Sequence, residues 1–249
     1  MKRFSQKRAL ITGGGTGIGR AIALALAAED GHATIVGPDP EALAEVAGFS
    51  PGLLHAEECD LRDLPRWKKI LMDHADLDIL INNAAISVPT DALNPEDSSW
   101  SDVFAVNFEA ARIGCLEAAR HMQNRGGRIV NVTSVHGTLC ERNSAAYGVA
   151  KAALNQLTRS LAVEFARFGI LVNAVAPGFV DTPMSRASGV NELETDYFRS
   201  TFLDNGRLPI ARAAQPEEIA RAVLFLADPA NSYITGHILV ADGGLSLTL

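Results

Sequence analysis

Short apolar runs and longer segments of mixed polarity alternate along the whole chain. Arg8–Thr12, Ala33–Gly37, Leu53–Cys59, Asp78–Asn82, Arg128–Thr133, Leu171–Ala176 and His237–Ala241 read as short buried strands. Between them Ile18–Ala28, Glu41–Ala47, Leu64–His74, Trp100–Gln123, a run from Ala145 to about Phe168, and Glu217–Ala227 read as helices. Strands that alternate with helices of this length predict a parallel sheet of about seven strands, covered on both faces. This is an α/β fold of the doubly wound type, with right-handed crossovers. No repeat, low-complexity tract or linker divides the chain, so one domain over residues 1–249 is expected. Pro183–Arg212 breaks the alternation and is richer in polar residues; it reads as a lid over a site, spanning about residues 184–212.

Composition narrows the classes. A chain of 249 residues, 47% hydrophobic, is ample for one well-buried core. The formal net charge is −7 and no basic run exceeds Lys68-Lys69, which argues against a nucleic-acid partner. No segment approaches 18 uninterrupted apolar residues, so no membrane span is expected, and the first residues lack an apolar stretch of signal-peptide length. Cys59, Cys115 and Cys140 are odd in number and far apart, which suits a reducing cytoplasm and shows no metal-ligand spacing. The six histidines form no H-x-x-x-H pair, and no metal site is expected.

Two stretches carry candidate chemistry. The first strand runs into Thr12-Gly13-Gly14-Gly15-Thr16-Gly17-Ile18-Gly19, where a helix begins. Glycines allow a tight turn and a close approach to a ligand, and a helix N-terminus offers free N–H groups to a pyrophosphate. The second stretch is Tyr147-Gly-Val-Ala-Lys151, early in its helix. Residues four apart share a helix face, so phenol and ammonium can point into one cavity. The nearby cation should pull the Tyr147 pKa down toward neutrality, where a proton donor and acceptor works best.

With these two stretches in place the chain resembles the short-chain dehydrogenase/reductase family over essentially its whole length. Thr12–Gly19 resembles the family's cofactor turn, with Gly13, Gly15, Thr16, Gly17, Ile18 and Gly19 as its contacts. Asp60-Leu61 stands where the family holds the adenine. Asn82-Asn83-Ala84-Ala85 is similar to the N-N-A-G motif, with Ala85 in place of the final glycine. Asn107 matches the helix asparagine, and Ser134 lies 13 residues before Tyr147, as in the family. Asn173–Gly178 and Asp181-Thr182-Pro183 match the segment after the sixth strand, and Asp242-Gly243-Gly244 the C-terminal signature.

The resemblance implies an oxidoreductase that interconverts a secondary alcohol, or a sugar hemiacetal or polyol, and the matching carbonyl with a nicotinamide cofactor. Tyr147 would exchange the proton with the substrate oxygen, and Ser134 would hydrogen-bond that oxygen. Lys151 would hold the nicotinamide ribose, and Asn107 would support a water linking Lys151 to solvent. Asn83, Ala84, Ala85, Pro177, Gly178, Val180 and Thr182 would complete the cofactor site, with Val180 and Thr182 at the carboxamide. His136 and Glu141 lie in the loop that lines the family's substrate pocket; a polar pocket there suits a sugar or polyol. At the ribose of the adenosine, Pro38 stands where the family often carries arginine or aspartate, and Asp39 follows it. With one anion and no cation there, NAD is favoured over NADP. Asp39 is equally placed to cap the next helix. A homotetramer is also implied, with Ala150, Ala153, Leu154 and Leu157 as candidate seam residues. Two other readings stay open: a reductase of acyl-chain ketones, and an idle nucleotide-binding sensor on the same fold.

Overall fold

A computed structural model describes residues 2–94, 97–186 and 189–248. Its centre is a seven-stranded parallel sheet in the order β3-β2-β1-β4-β5-β6-β7. The strands are β1 (Arg8–Thr12), β2 (His32–Gly37), β3 (Leu54–Glu58), β4 (Ile79–Asn82), β5 (Gly127–Val132), β6 (Ile170–Pro177) and β7 (Ile238–Ala241). Successive side chains of a strand point to opposite faces. Ile79 and Ile81 of β4 therefore join one core and Leu80 the other. The runs are nearly continuous in apolar residues because both faces are covered.

Helices α1 (Gly17–Ala27), α2 (Pro40–Gly48) and α8 (Pro216–Ala227) contribute to the first core. Helices α3 (Leu64–Asp73), α5 (Ala110–Met122) and α6 (Ala145–Phe165) contribute to the second. Trp67 of α3 is fully buried there, and its indole N–H donates to the Ala110 carbonyl at 2.9 Å. The expected boundaries hold to within one or two residues, except that the Tyr147 helix ends at Phe165 and a 3-10 turn (Ala166–Phe168) follows.

Two expectations need correction. The helix expected over Trp100–Gln123 is not uniform. It comprises α4 (Ser99–Phe104), a π-helical turn over Ala105–Glu109, and α5. Of the expected seam residues, Ala150 and Leu154 are buried inside the protomer, Ala150 in a small cluster with Val103 of α4, and so offer no surface to a second copy.

The lid region is a series of short turns: Pro183–Arg186, Glu192–Glu194, α7 (Asp196–Phe198) and a π-helical turn over Arg199–Asp204. Residues 187 and 188 of the expected lid lie outside the described residues. Phe198 and Leu208 are buried, and Phe179, after β6, meets Phe198 and Phe202 edge-on at 4.9 and 4.7 Å between ring centres. The second half of the segment is thus packed onto the body.

Strand order changes direction between β1 and β4: β2 and β3 lie on one side, β5 to β7 on the other. Ligands of open α/β sheets bind outside the carboxyl ends of the strands at such a switch point. The glycine turn leaves β1 there, and Asn83-Ala84-Ala85 leaves β4 beside it.

Candidate active site

Thr12 closes the switch point. Its hydroxyl oxygen accepts from the N–H groups of Asn83 and Ala84, both at 3.0 Å. The Asn83 amide donates back to the carbonyls of Thr12 and Gly13. The turn then bends through Gly13 and Gly17, both at positive φ, into α1. Gly19 is needed for a different reason: a Cβ there would lie 2.1 Å from the Gly13 carbonyl oxygen.

The helix start is open. Thr16 makes no side-chain capping bond and the first turn of α1 holds no acidic residue, so the N–H groups and the positive dipole end are left for an anion. These residues fit a dinucleotide's pyrophosphate.

From this turn a cleft of about 630 Å³ runs to the end of β5 and the start of α6. Gly13, Thr16, Gly17 and Ile18 line it at one end. Asn83, Ala84 and Ala85 line it beside β4, and Ser134, Tyr147 and Lys151 line it beyond β5. Pro177, Gly178, Val180 and Thr182 form the wall that leaves β6. A Cβ at Gly17 would lie 3.2 Å from the Thr182 side chain, closer than an ordinary van der Waals contact.

Gly15, Gly19, Asp39, Asp60, Leu61 and Asn107 do not line this cleft. Asp39 caps α2, one carboxylate oxygen accepting from the N–H groups of Glu41 and Ala42. Asp60 is gripped by Arg62 through two nitrogens, and Leu61 is buried. Because β2 and β3 pair Gly37 with Glu58, Asp39 and Asp60 leave neighbouring strand ends two residues later. Asn107 sits in the π-helical turn with its amide committed to the backbone of Ile86, accepting from its N–H at 2.8 Å and donating to its carbonyl at 2.9 Å. Single π-helical turns occur frequently at functional sites.

Tyr147 and Ser134 face each other across the cleft, close enough for the Ser134 hydroxyl to act on the phenol. Ser134 also accepts from the N–H of His136 at 3.1 Å, and the His136 ring meets the Tyr147 ring edge-on at 5.8 Å. Lys151 is 1% exposed; its ammonium donates to the Val132 carbonyl at 2.9 Å and lies 5.5 Å from the centre of the Tyr147 ring. Beneath these groups the Asn82 amide donates to Asn131 at 2.8 Å, and Asn131 donates to Thr158 at 2.9 Å, tying β4, β5 and α6 together.

The electrostatics reverse one expectation. Burial pushes the Tyr147 phenol up to about 12, opposed by Ser134, and Glu192 adds to the rise. Burial likewise pushes Lys151 down to about 7. Lys151 does not draw Tyr147 toward neutrality, because desolvation of both groups outweighs their attraction and the ammonium is spent on Val132. His136 is held below its usual value by burial, against the opposing pull of Glu141 at 3.3 Å. Among the described residues no cluster of histidine, cysteine or acidic side chains has the form of a metal site.

A family model described as enoyl-(acyl carrier protein) reductase matches residues 13–246. The cis-4-hydroxycyclohexanecarboxylate dehydrogenase of Sinomonas cyclohexanicum is 39% identical, covering 97% of both chains. The galactitol 2-dehydrogenase (L-tagatose-forming) of Cereibacter sphaeroides is 37% identical over 96% of this chain and 94% of its own. A solved structure described as an NAD(P)-dependent gluconate 5-dehydrogenase of Beutenbergia cavernae, with NADP bound at low occupancy, is 35% identical. It superposes with a TM-score of 0.88 over 98% of each chain. The chain belongs to the short-chain dehydrogenase/reductase family. It is an oxidoreductase that acts on CH–OH groups.

Within this family member several cleft residues escaped the sequence reading. Phe179, Met184, Glu192 and Leu245 all line the cleft. Leu245 arrives through a turn in which Asp242 accepts from the N–H groups of Gly244 and Ser246. The Asp242-Gly243-Gly244 signature was visible, but its use as a bracket for Leu245 was not. Among the described residues no helix is long and apolar enough to cross a membrane.

Proposed function

We propose that the substrate is a small polyhydroxylated alcohol, a sugar or polyol, oxidised at a secondary carbon or formed from the matching ketone. The observation that carries this reading is the placing of Tyr147 and Ser134 together in the same cleft as the open helix start, beside His136, Glu141, Asn143 and Glu192. A nicotinamide cofactor, held by the glycine turn, the β4 end and the wall after β6, supplies the hydride chemistry. At the substrate oxygen the Tyr147 hydroxyl gives up or regains the proton, and Ser134 stabilises the charge developing there. Lys151 orients the ribose from its anchor on Val132. The Asn107 amide is held in place by its two bonds to Ile86 and keeps one N–H and one lone pair for a water. The carboxylates of Glu141 and Glu192, set among apolar lining residues such as Phe179, Met184 and Leu245, disfavour an acyl-chain substrate. A screen of polyols, sugars and simple ketones with both cofactors tests the reading; turnover confined to acyl thioesters would replace it.

The cofactor is proposed to be NAD. Gly14, Gly15, Thr16, Pro38 and Asp39 supply no cation to a ribose phosphate, and the nearest arginines are engaged. Arg62 is on Asp60, while Arg20 lies over the Phe49 ring and near Glu45. One oxygen of Asp39 caps α2, leaving the carboxylate free to accept a ribose hydroxyl and to repel a phosphate. Steady-state kcat/KM is expected to be higher with NAD than with NADP, and Pro38→Arg is expected to raise the NADP value about tenfold through a charge-assisted fork. A wild-type enzyme more efficient with NADP would sink this assignment.

The lid is proposed to close over the cleft, chiefly in its first half, since the second half is pinned by the Phe179–Phe198–Phe202 cluster. Hydrogen exchange within residues 184–194 should slow when NAD and substrate are both present, with little change over 198–208. Equal exchange over 184–194 in the two states counts against a lid.

A further inference from the structure

The cleft holds two carboxylates that proton and hydride transfer do not require. Glu141 comes from the loop after β5, and Glu192 opens the turn Glu192–Glu194. Glu141 already has a partner, the His136 imidazole at 3.3 Å. The Glu192 carboxylate has no hydrogen-bond or ion-pair partner among the described residues. The residue is exposed in the open cleft, and partial desolvation and then repulsion from Glu141 hold its carboxyl above the usual carboxylate range. Its charge also acts on Tyr147, which places it within electrostatic reach of the hydroxyl that exchanges the proton.

A carboxylate accepts hydrogen bonds and donates none. In the open cleft water supplies the donors; a substrate that fills the cleft strips that water from Glu192, which is costly unless other donors replace it. Among the described residues no protein group does so for Glu192. The group that can is a substrate hydroxyl lying close to the reacting oxygen. We propose that Glu192 is a specificity-determining residue that accepts a hydrogen bond from a substrate hydroxyl on the carbon adjacent to the one oxidised. Glu141 and His136 border the same subsite. The enzyme then selects vicinal diols and polyols over isolated alcohols. The inference rests on the reading of Tyr147 as the proton-transfer group. Arg142 also lines the cleft and is the competing determinant, since it would favour an anionic substrate.

The test compares cyclohexane-1,2-diol with cyclohexanol, which differ by the adjacent hydroxyl, in the wild type, Glu192→Gln and Glu192→Ala. Hydrogen bonds to charged groups are worth enough to change kcat/KM by about 10- to 100-fold. The wild type should prefer the diol by about that factor. Both variants should lose most of that preference while cyclohexanol turnover stays within about threefold of wild type. No wild-type preference, or a preference that survives in both variants, overturns the proposal while leaving the function reading intact. A stronger preference for 2-aminocyclohexanol that Glu192→Gln abolishes would show recognition of a cation and overturn the hydroxyl assignment. Preference for a hydroxycyclohexanecarboxylate that Arg142→Gln abolishes would move specificity to Arg142. No turnover of any alcohol with either cofactor would overturn this proposal and the function reading together.

Discussion

Tyr147→Phe is expected to lower kcat by at least about a hundredfold, the lower end for loss of a general acid–base group, while the protein still folds and binds cofactor. The substitution deletes one oxygen. The ring keeps its edge-on contact with His136 at 5.8 Å and its place beside the Lys151 ammonium. Ser134 keeps the His136 N–H at 3.1 Å, so its hydroxyl is not stranded. The stability lost is at most on the scale of one hydrogen bond, about 1 kcal/mol. Burial holds the phenol near 12, so it is protonated and ready to donate at neutral pH. A purified variant with wild-type thermal stability, normal NAD titration and near-normal kcat would remove Tyr147 from the chemistry.

Much of this site was legible from the order of motifs, and the reason is topological. Once the strands were read as parallel, the segments that leave their carboxyl ends had to share one edge of the sheet. The glycine turn, Asn83–Ala85, Ser134 and Pro177–Thr182 all do. Residue spacing could also place Tyr147 and Lys151 on one helix face. It could not say how far each would be desolvated, and that decided both pKa directions. The π-helical turn at Asn107 was hidden for a similar reason. Its residues fit an α-helix pattern, and only the tertiary bond to Ile86 marks the irregularity. The close approach of Gly19 to the Gly13 carbonyl was hidden too, because spacing does not say what a glycine leaves room for. Glu192 lies in a stretch without periodicity, where no sequence rule aims a side chain.

Lys151→Met is expected to abolish most turnover and yet stabilise the protein free of ligands at neutral and mildly acidic pH. The wild-type ammonium is 1% exposed and has one hydrogen-bond acceptor, Val132. Burial lowers its pKa from 10.5 to about 7 in the folded chain. Below about pH 7 both folded and unfolded chains hold the proton, and the fold bears the whole cost of the buried charge. Between about 7 and 10.5 the unfolded chain binds more protons than the folded one, so wild-type stability rises with pH across that window. The full span is on the order of 5 kcal/mol, an upper figure for a site that relaxes or admits water. Methionine fills a similar volume without charge and has no such slope, but it leaves the Val132 carbonyl without a donor at a cost of about 1–3 kcal/mol. Tyr147 titrates in both proteins and cancels in the difference. Urea unfolding of the two proteins should therefore show the variant ahead by a few kcal/mol at about pH 6, with the gap closing or reversing by about pH 10. A difference that stays constant over that range would mean that Lys151 is not a desolvated ammonium, and that its lost turnover in the variant has another origin than the ribose contact argued from its burial.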